Sequence, residues 1–389
     1  MNKRVYFLMI VAFVVGMVEL IIGGILDLMA ADLNVSLGQV GFLITIFSLI
    51  FAVGAPILLI LTSNIERRFL TLISLTIFLM GNLVTVFSPT YTVVFIGRVI
   101  SALSGSLLII LCLTIAPSIV HPKYRGRAIG IVSMGVSASI VLGLPVGLLL
   151  GNAFGWRAPF VLISILTVLS MGGVLLLMGR VEPKPSSPIK QQLATLKNRG
   201  IFFGQTVTFL FMAGHTTLYA YLTPFAKTIL EVDGTWVSVI YMIFGIAAVS
   251  GGAIGGTLSD TWGSKNTIIA TTASLTLVMF TIPFTTFALP AFLAILIIWG
   301  MLSWTLAPAT QSYLIGLSPD TSDIQQSLNN SALHLGIAFG SLIGGLVIER
   351  ASVEQNAAVG GLFVILSIGA AVISMYGQEK QQKERGLSH

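Results

Sequence analysis

Long runs of apolar residues, separated by short polar stretches, form the dominant pattern of this chain. A helix that crosses the roughly 30 Å hydrocarbon core of a bilayer needs about 20 mainly apolar residues. Lipid offers no partners to backbone N–H and C=O groups, so the pattern predicts α-helices. Twelve runs are long enough, with approximate limits of 5–28, 38–61, 69–88, 91–118, 127–151, 157–179, 201–226, 236–259, 267–287, 289–316, 328–348 and 357–376. We number these predicted spans 1 to 12.

The composition changes this picture only by excluding other classes of protein. Hydrophobic residues make up 55% of the 389 residues and charged residues 9%, whereas about 25% of an ordinary soluble domain is charged. So few charges cannot cover the surface of a water-soluble globule, which excludes a soluble enzyme, a nucleic-acid-binding protein and a disordered protein. Cys112 is the only cysteine, so no internal disulfide is possible. We expect neither a metal nor a cofactor.

Lysine and arginine residues settle the expected orientation of the chain. Most of the 20 basic residues fall in segments that are cytoplasmic if the N-terminus is cytoplasmic. Positively charged loops stay inside, so both termini are predicted in the cytoplasm. Arg98 is a basic residue in the interior of a predicted span.

A polar linker divides the twelve spans into two sets of six. The stretch RVEPKPSSPIKQQLATLKNR follows span 6 and carries three prolines and five basic residues. Similar stretches recur in the two halves at offsets of 191 to 197 residues, for example GAPILLIL from Gly54 and GGAIGGTL from Gly251. A duplicated six-helix unit is the plan of many secondary transporters. The predicted domains are 1–179, 180–199 as cytoplasmic linker, 200–377, and 378–389 as cytoplasmic tail.

The loop between spans 8 and 9 has a recognisable pattern of small and charged residues, GTLSDTWGSK. It resembles the cytoplasmic loop motif of the major facilitator superfamily, specifically the bacterial drug:proton antiporter-1 family. The resemblance covers essentially the whole chain. It implies an all-α fold of twelve transmembrane helices in two pseudo-symmetric six-helix bundles. The motif implies conformational roles for Gly256, Asp260, Gly263 and Lys265, with Asp260 as a latch.

The first-half copy of this motif departs from the family pattern. Ser63 stands at the acidic position and Glu66 at the glycine position, while Arg67 and Arg68 remain. The first half therefore lacks the acidic residue on which the latch of the family motif depends.

Span 5 carries a glycine- and proline-rich sequence that resembles the antiporter motif of the superfamily. Its residues are Gly143, Pro145 and Gly147. Small residues allow close helix packing and proline kinks a helix. The motif favours antiport over uptake, although ordinary helix packing also uses glycines four residues apart.

Three further stretches are similar to the purine-efflux-pump branch of that family. They are ELIIGGIL from Glu19, GHTTLYAY from Gly214, and the long run from Trp299 to Asn330. The resemblance implies a monomeric, proton-coupled exporter of a small purine-base-, nucleoside- or drug-like solute in the plasma membrane of a bacterium. Multidrug or sugar efflux is the alternative, and a proton-coupled uptake symporter is a less favoured one.

Ionisable residues inside the predicted spans are candidates for the coupling site, because charge in hydrocarbon is costly. From the 1.5 Å rise per residue, Glu19 in span 1 lies about 12 Å and Arg98 in span 4 about 10 Å below the outer boundary, at similar depth. His215 occupies in span 7 the place that Glu19 has in span 1. Because spans 1, 4, 7 and 10 line the cavity in the superfamily, all three are expected to face it. We predict Glu19 as the proton site, Arg98 as its modulator and His215 as a second titrating or substrate-binding group.

Each of these residues also has a structural interpretation. Glu19 and Arg98 can form an ion pair without a role in transport, and His215 can be a hydrogen-bonded packing residue. Substrate contacts are predicted from aromatic faces that stack a planar base and an amide that pairs its edge. The candidates are Tyr219, Tyr221, Trp304 and Gln311.

A membrane-embedded enzyme is the main rival from another class. It needs acids and histidines at metal-ligand spacing or a nucleophile beside its base. The four histidines are scattered, and no phosphate-binding Walker loop occurs. The sequence therefore predicts a transporter whose partners are protons, a small molecule and the lipid bilayer.

Overall fold

The apolar runs form long helices in a computed structural model of the chain. The structure describes residues 3–121, 124–183, 189–318 and 321–386. Within these ranges the chain is built from α-helices, which we number in chain order. They are α1 Lys3–Leu33, α2 Leu37–Leu61, α3 Arg67–Val86, α4 Tyr91–Ser118, α5 Arg125–Ala138, α6 Leu144–Phe154, α7 Ala158–Leu177, α8 Ile189–Thr195, α9 Arg199–Tyr219, α10 Leu222–Ile229, α11 Gly234–Thr261, α12 Ser264–Thr281, α13 Leu289–Leu317, α14 Ser322–Arg350 and α15 Gln355–Gly386.

Eleven stretches of helix in the described part of the chain are long and apolar enough to cross a membrane. One of them, Arg127–Phe154, runs through α5, a π-helical segment Ser139–Gly143 and α6. A twelfth long helix, α9, has 21 residues and is more polar. The twelve spans predicted from the sequence are consistent with these elements, and the all-α fold class is confirmed.

Span 7 differs from its prediction as one continuous helix over 201–226. The helix ends at Tyr219, and α10 begins at Leu222. Pro224 lacks a backbone N–H and its ring clashes with the carbonyl group four residues earlier, which belongs to Ala220. This clash gives a physical reason for the break before α10.

Two compact units share the chain. The first consists of Met1–Ser186 with Ala220–Met242, and the second of Ser187–Tyr219 with Ile243–His389. The change from the second unit to the first falls at the break after Tyr219. The predicted division at a linker over 180–199 stays a prediction, and residues 184–188 of that linker lie outside the described part.

Glycines of α5 and α6 bring these helices close to α1 inside the first unit. A Cβ atom on Gly143 would lie 2.5 Å from Cγ of Met17, and one on Gly147 would overlap the side chain of Ile21. Pro145 follows the π-helical segment, in the first turn of α6, where a proline is tolerated because the N–H groups of a first turn have no partner within the helix. The structure thus places this motif in helix packing within one unit, and antiport stays a prediction.

Glu66, the departure from the family motif, ties the α2–α3 loop to the chain that follows α7. Its carboxylate accepts hydrogen bonds from the backbone N–H groups of Arg68 (3.0 Å), Phe69 (2.8 Å) and Val181 (2.7 Å). The Arg67 N–H in turn donates to the Val181 carbonyl at 3.0 Å. The side chain therefore caps α3 and anchors the start of the linker.

The electrostatics of Glu66 make this anchor dependent on pH. Burial acts to raise the pKa of its carboxyl, but the backbone N–H groups of Val181, Arg68 and Phe69, with the charge of Arg180, outweigh it and hold the pKa below its usual value. A lowered folded-state pKa stabilises the folded loop above the unfolded-state pKa of about 4.3. That stabilisation is lost as the pH falls through the folded-state pKa.

Replacing Glu66 with alanine is expected to loosen both the start of α3 and the start of the linker, with a loss of about 1 kcal/mol typical of a helix cap. Hydrogen–deuterium exchange should become faster in peptides covering 66–70 and 178–183. The exposed neighbour Glu182, changed to alanine, is the matched control. Equal exchange in the two variants would contradict the assigned anchor.

Candidate functional site

The first unit contains a fully buried arginine. Arg98 on α4 is 0% exposed. Its Nη1 group donates to the Val18 carbonyl of α1 at 2.8 Å, and its Cζ atom lies 4.1 Å from the ring centroid of Phe47 on α2. Helix α4 approaches α3 closely at the preceding residue, because a Cβ atom on Gly97 would lie 2.8 Å from the Gly81 carbonyl. Arg98, the next residue along α4, is thus enclosed within the first unit.

The Arg98 guanidinium keeps part of its hydrogen-bonding capacity unused. Among the described residues, its Nε and Nη2 groups have no hydrogen-bond partner. These two groups form the side-on edge of the guanidinium, which matches the two oxygens of a carboxylate. Unpaired buried donors on a charged group cost more than the 1–3 kcal/mol typical of neutral ones. An anion that reaches this edge therefore gains the interaction that the structure leaves unmade.

Glu19 of α1 is the acidic residue that acts on Arg98. It follows Val18 directly, its side chain is partly buried, and it interacts electrostatically with the Arg98 guanidinium. The structure thus brings the predicted acid and base of the coupling site into one electrostatic pair. Their roles in proton transport stay predictions.

His215 lies in an aromatic cluster of the second unit. Its ring stacks on Tyr219, with centroids 5.0 Å apart, and on Phe244 at 5.9 Å, and Trp299 meets it edge-on at 5.5 Å. The Trp299 Nε1 group is 3.1 Å from Nδ1 of His215, and the Ser303 hydroxyl is 3.0 Å from the same atom. Helix α13 supplies both polar partners, one turn apart.

These contacts select one tautomer of the histidine ring. The indole N–H of Trp299 is a donor only, so Nδ1 of His215 has to be an acceptor. In a neutral imidazole the proton then sits on Nε2. Adding a proton at Nδ1 would set two donors against each other, so the geometry favours a neutral His215 that offers its Nε2–H group. Such a group suits binding of an acceptor better than proton transport.

A small cavity lies beside this cluster in the second unit. It has a volume of about 20 Å³, enough for one water-sized group. Half-buried Trp304 of α13 borders it, together with Thr208 of α9, Ser303 and Thr310 of α13, and Asn329 of α14. Ser303 connects the cavity to His215.

The four predicted substrate-contact residues have different surroundings within their own units. Tyr219 belongs to the aromatic cluster and Trp304 borders the cavity, both in the second unit. Gln311 is exposed on α13 and is absent from the cavity wall. Tyr221 is fully buried in the first unit, with its hydroxyl group packed against Gly41 of α2.

Helix α10 packs against α1 within the first unit. The Thr223 hydroxyl donates to the Gly23 carbonyl at 2.8 Å, and Lys227 forms an ion pair with Asp27 at 2.5 Å. Ile25, between these contacts, has non-helical backbone angles of −107° and 17°. The kink in α1 is therefore next to the carbonyl group that α10 engages.

The predicted loop-motif residues lie at the ends of α3 and α11. Arg67 is buried and its guanidinium lies near the Thr62 and Ser63 carbonyls, while Arg68 donates to the Leu175 carbonyl of α7 at 2.7 Å. These bonds tie α3 to neighbouring chain segments within the first unit.

The second-half motif forms an exposed turn. Gly263 has a φ of 89°, which favours glycine and permits the sharp turn into α12. Asp260 is exposed on the last turn of α11 and Lys265 is half-buried. Open space surrounds Gly256, and Gly255 makes the close approach instead, toward the backbone of Thr305. The latch role of Asp260 stays a prediction.

Several residues of both sites are not evident from the sequence. Phe47 and Phe244 are apolar positions in apolar helices, and nothing in the pattern distinguishes them from lipid-facing residues. Trp299 begins the long run noted in the sequence, but its side chain has no pattern that marks a site. Asn329 lay within a stretch already singled out, and an amide inside a predicted span was a usable signal. No group of three His, Cys, Asp or Glu side chains in the described ranges is placed to hold a metal ion.

Comparison with known proteins supplies the family. A family model described as Major Facilitator Superfamily matches residues 8–341. The chain belongs to the Major Facilitator Superfamily. It is therefore a multi-pass membrane transport protein that moves a small molecule across a lipid bilayer, and members of the superfamily are generally carriers rather than enzymes.

Two relatives from Bacillus subtilis (strain 168) support membership of the superfamily. The chain is 34% identical over 378 residues to "Uncharacterized MFS-type transporter YbcL", covering 97% of each protein. It is 29% identical over 382 residues to "Uncharacterized MFS-type transporter YtbD", covering 96% of this chain and 95% of that one. They support the superfamily and leave the branch and the substrate open.

Solved structures support the Major Facilitator Superfamily fold. A bacterial homologue of the human lysosomal transporter Spinster, inward-facing and occupied, matches with a TM-score of 0.81 at 15% identity, over 96% of this chain and 97% of that one. The human organic anion transporter MFSD10 matches with a TM-score of 0.70 at 14% identity, over 95% of this chain and 98% of that one. At such identities the likeness concerns the fold alone.

Proposed function

We propose that this protein is a proton-coupled exporter of a small organic solute that works by alternating access. The observation that carries the proposal is the fully buried Arg98, which has an unfilled side-on edge and whose guanidinium feels the charge of Glu19. An ionisable pair in the hydrocarbon region is costly and marks an ion or substrate pathway in membrane proteins.

Glu19 is the proton carrier in this proposal. In general, a low-dielectric surrounding favours the neutral form of a carboxyl group, and a nearby positive charge favours the carboxylate. A carboxylate that alternates between these influences as the protein changes conformation takes up a proton on one side and releases it on the other. When the proton has left, Arg98 donates hydrogen bonds to the carboxylate, because its side-on edge fits two oxygens.

The solute occupies the second unit, where polar and aromatic groups lie together. His215 offers an Nε2–H donor, Tyr219 and Trp304 offer ring faces, and the cavity adds further polar groups. Planar rings stack favourably on aromatic side chains. A purine-base-, nucleoside- or drug-like solute fits this chemistry, in line with the resemblance to the purine-efflux-pump branch of the drug:proton antiporter-1 family. Multidrug or sugar efflux is the second candidate.

The proposed setting follows from the sequence. Positively charged loops predict cytoplasmic termini, and the bacterial relatives fit a plasma membrane. Two six-helix bundles joined by the polar linker rock about a central site, as in transporters built from repeats. One chain supplies both halves, so a monomer is sufficient.

Transport in inverted membrane vesicles tests the direction and the coupling. With an inside-acid gradient, an exporter accumulates labelled purines or nucleosides, and adding the solute makes the vesicle interior less acid. A protonophore should abolish both effects, and vesicles without the protein set the background. Solute loss from preloaded vesicles driven by the same gradient would contradict export and favour uptake by symport.

A further inference from the structure

A chain of hydrogen-bonded amides ends at the cavity of the second unit. Asn329 donates through Nδ2 to Gln205 Oε1 at 3.1 Å and to Thr208 Oγ1 at 2.8 Å. Gln205 Nε2 lies 3.3 Å from Gln325 Oε1, and Gln325 Nε2 donates to Thr321 Oγ1 at 3.2 Å. Asn329, Gln205, Gln325 and Thr208 are all nearly fully buried.

This network determines the orientation of the Asn329 amide. Both hydrogens of its Nδ2 group are used, and a flipped amide would set its oxygen against Gln205 Oε1. Its Oδ1 atom receives no hydrogen bond from any described residue, and Asn329 borders the cavity. The amide therefore presents an acceptor on the cavity side.

Thr208 adds a donor next to that acceptor. Its hydroxyl oxygen accepts from Asn329, and its hydrogen meets no acceptor within the described ranges. Thr310 borders the same cavity, but its hydroxyl donates to the Leu306 and Ala307 carbonyls of its own helix, each at 3.1 Å. Of the two threonines, only Thr208 has a hydroxyl hydrogen left for a ligand.

We propose that Asn329 and Thr208 form a subsite that reads the N–H/C=O edge of a planar cyclic amide, a lactam. The ligand N–H donates to Asn329 Oδ1 and the adjacent ligand C=O accepts from the Thr208 hydroxyl. The cavity, with about 20 Å³, takes this polar edge and not a whole ring, and the half-buried Trp304 side chain at its border offers a face for the rest of the ring. The inference rests on the proposed transport of a planar solute and names the chemical group that selects it.

Equilibrium binding to the purified full-length protein tests this subsite without any proton gradient. The probe is 2-quinolone, a planar lactam, and its partner is 1-methyl-2-quinolone, which keeps the carbonyl and lacks the N–H. We expect 2-quinolone to bind about tenfold more tightly than the methylated compound, as loss of one buried hydrogen bond implies.

Two threonine variants provide the matched comparison on the protein side. Thr208→Val should weaken 2-quinolone binding about tenfold, whereas Thr310→Val should change it less than about twofold. Equal effects of the two valines, equal affinity for the two quinolones, or no binding of 2-quinolone at millimolar concentration would overturn the subsite.

The two ligands keep the test valid if Thr208→Val does not fold. This binding result is also independent of the proposed function. A protein that discriminates the quinolones but pumps nothing in vesicles would retain the subsite and lose the export proposal.

Discussion

Replacing Glu19 with glutamine is expected to reduce gradient-driven export to the background of vesicles that lack the protein. Glutamine keeps the size and hydrogen-bonding capacity of the side chain but can neither hold nor release a proton. It also leaves the Arg98 edge without the carboxylate that the proposed cycle needs. The measurement is solute accumulation in inverted vesicles under an inside-acid gradient, with the amount of protein in the membrane checked in parallel.

A second assay separates coupling from binding in the Glu19→Gln variant. Exchange of labelled for unlabelled solute across proteoliposomes without a gradient should continue, because the proposed solute contacts lie in the second unit. Glu354→Gln makes the same chemical change at an exposed position and should pump normally. If the Glu19→Gln variant exported solute at the wild-type level, Glu19 would not be the proton carrier.

The variant Arg98→Gln is expected to lose both transport and stability. It removes the charge that faces Glu19, the contact with the Phe47 ring and the bond to the Val18 carbonyl. Breaking a fully buried ion pair from one side costs about 3–5 kcal/mol, and since Glu19 is only partly buried we expect about 2–4 kcal/mol. The free energy of unfolding in mixed micelles of mild detergent and dodecyl sulfate measures this loss.

A double-mutant cycle assigns part of that loss to the pair. Glu19→Gln with Arg98→Gln should be more stable than the sum of the single losses predicts, by about 1–2 kcal/mol, because no uncompensated charge remains. Combining Arg98→Gln with Glu354→Gln should give simple additivity. If the stability losses of Glu19→Gln and Arg98→Gln were also simply additive, the two residues would be energetically independent.

The helices could be predicted because their cause is local. A bilayer demands an apolar run of a given length with every backbone group paired internally, and both requirements can be judged from the sequence alone. The prediction of span 7 as one continuous helix was wrong, because the helix is interrupted after Tyr219. The part before the break belongs to the second unit and the part after it to the first. Pro224 was visible in the sequence, but the place of the break depends on how α10 packs against α1.

The residues of the candidate sites were harder to predict from the sequence than the helices. Arg98 and His215 stood out because charge and imidazole are rare in apolar runs. Gln311 and Asn329 are both amide residues in helices that carry several polar residues, yet Asn329 borders the cavity and Gln311 is exposed. Their spacing along the chain does not say which face of each helix turns inward, since that depends on the neighbouring helices.

Glu66 illustrates the same division between local and tertiary causes. The sequence identified it as a departure from the loop motif, and its capping of α3 is a local effect. Its bond to Val181 joins residues 115 positions apart, and no local pattern predicts a bond of that kind.

By itself, the sequence determined the membrane class, the number of spans and most of their approximate limits, the expected orientation and the rare polar residues that can carry chemistry. These follow from composition and from the thickness of hydrocarbon. Only the tertiary structure decided that Arg98 keeps an open edge, that Trp299 selects the tautomer of His215, and that Asn329 and Thr208 meet at one cavity. Each of these depends on the direction of hydrogen-bond donors across two or three helices, which the order of residues along one helix does not contain.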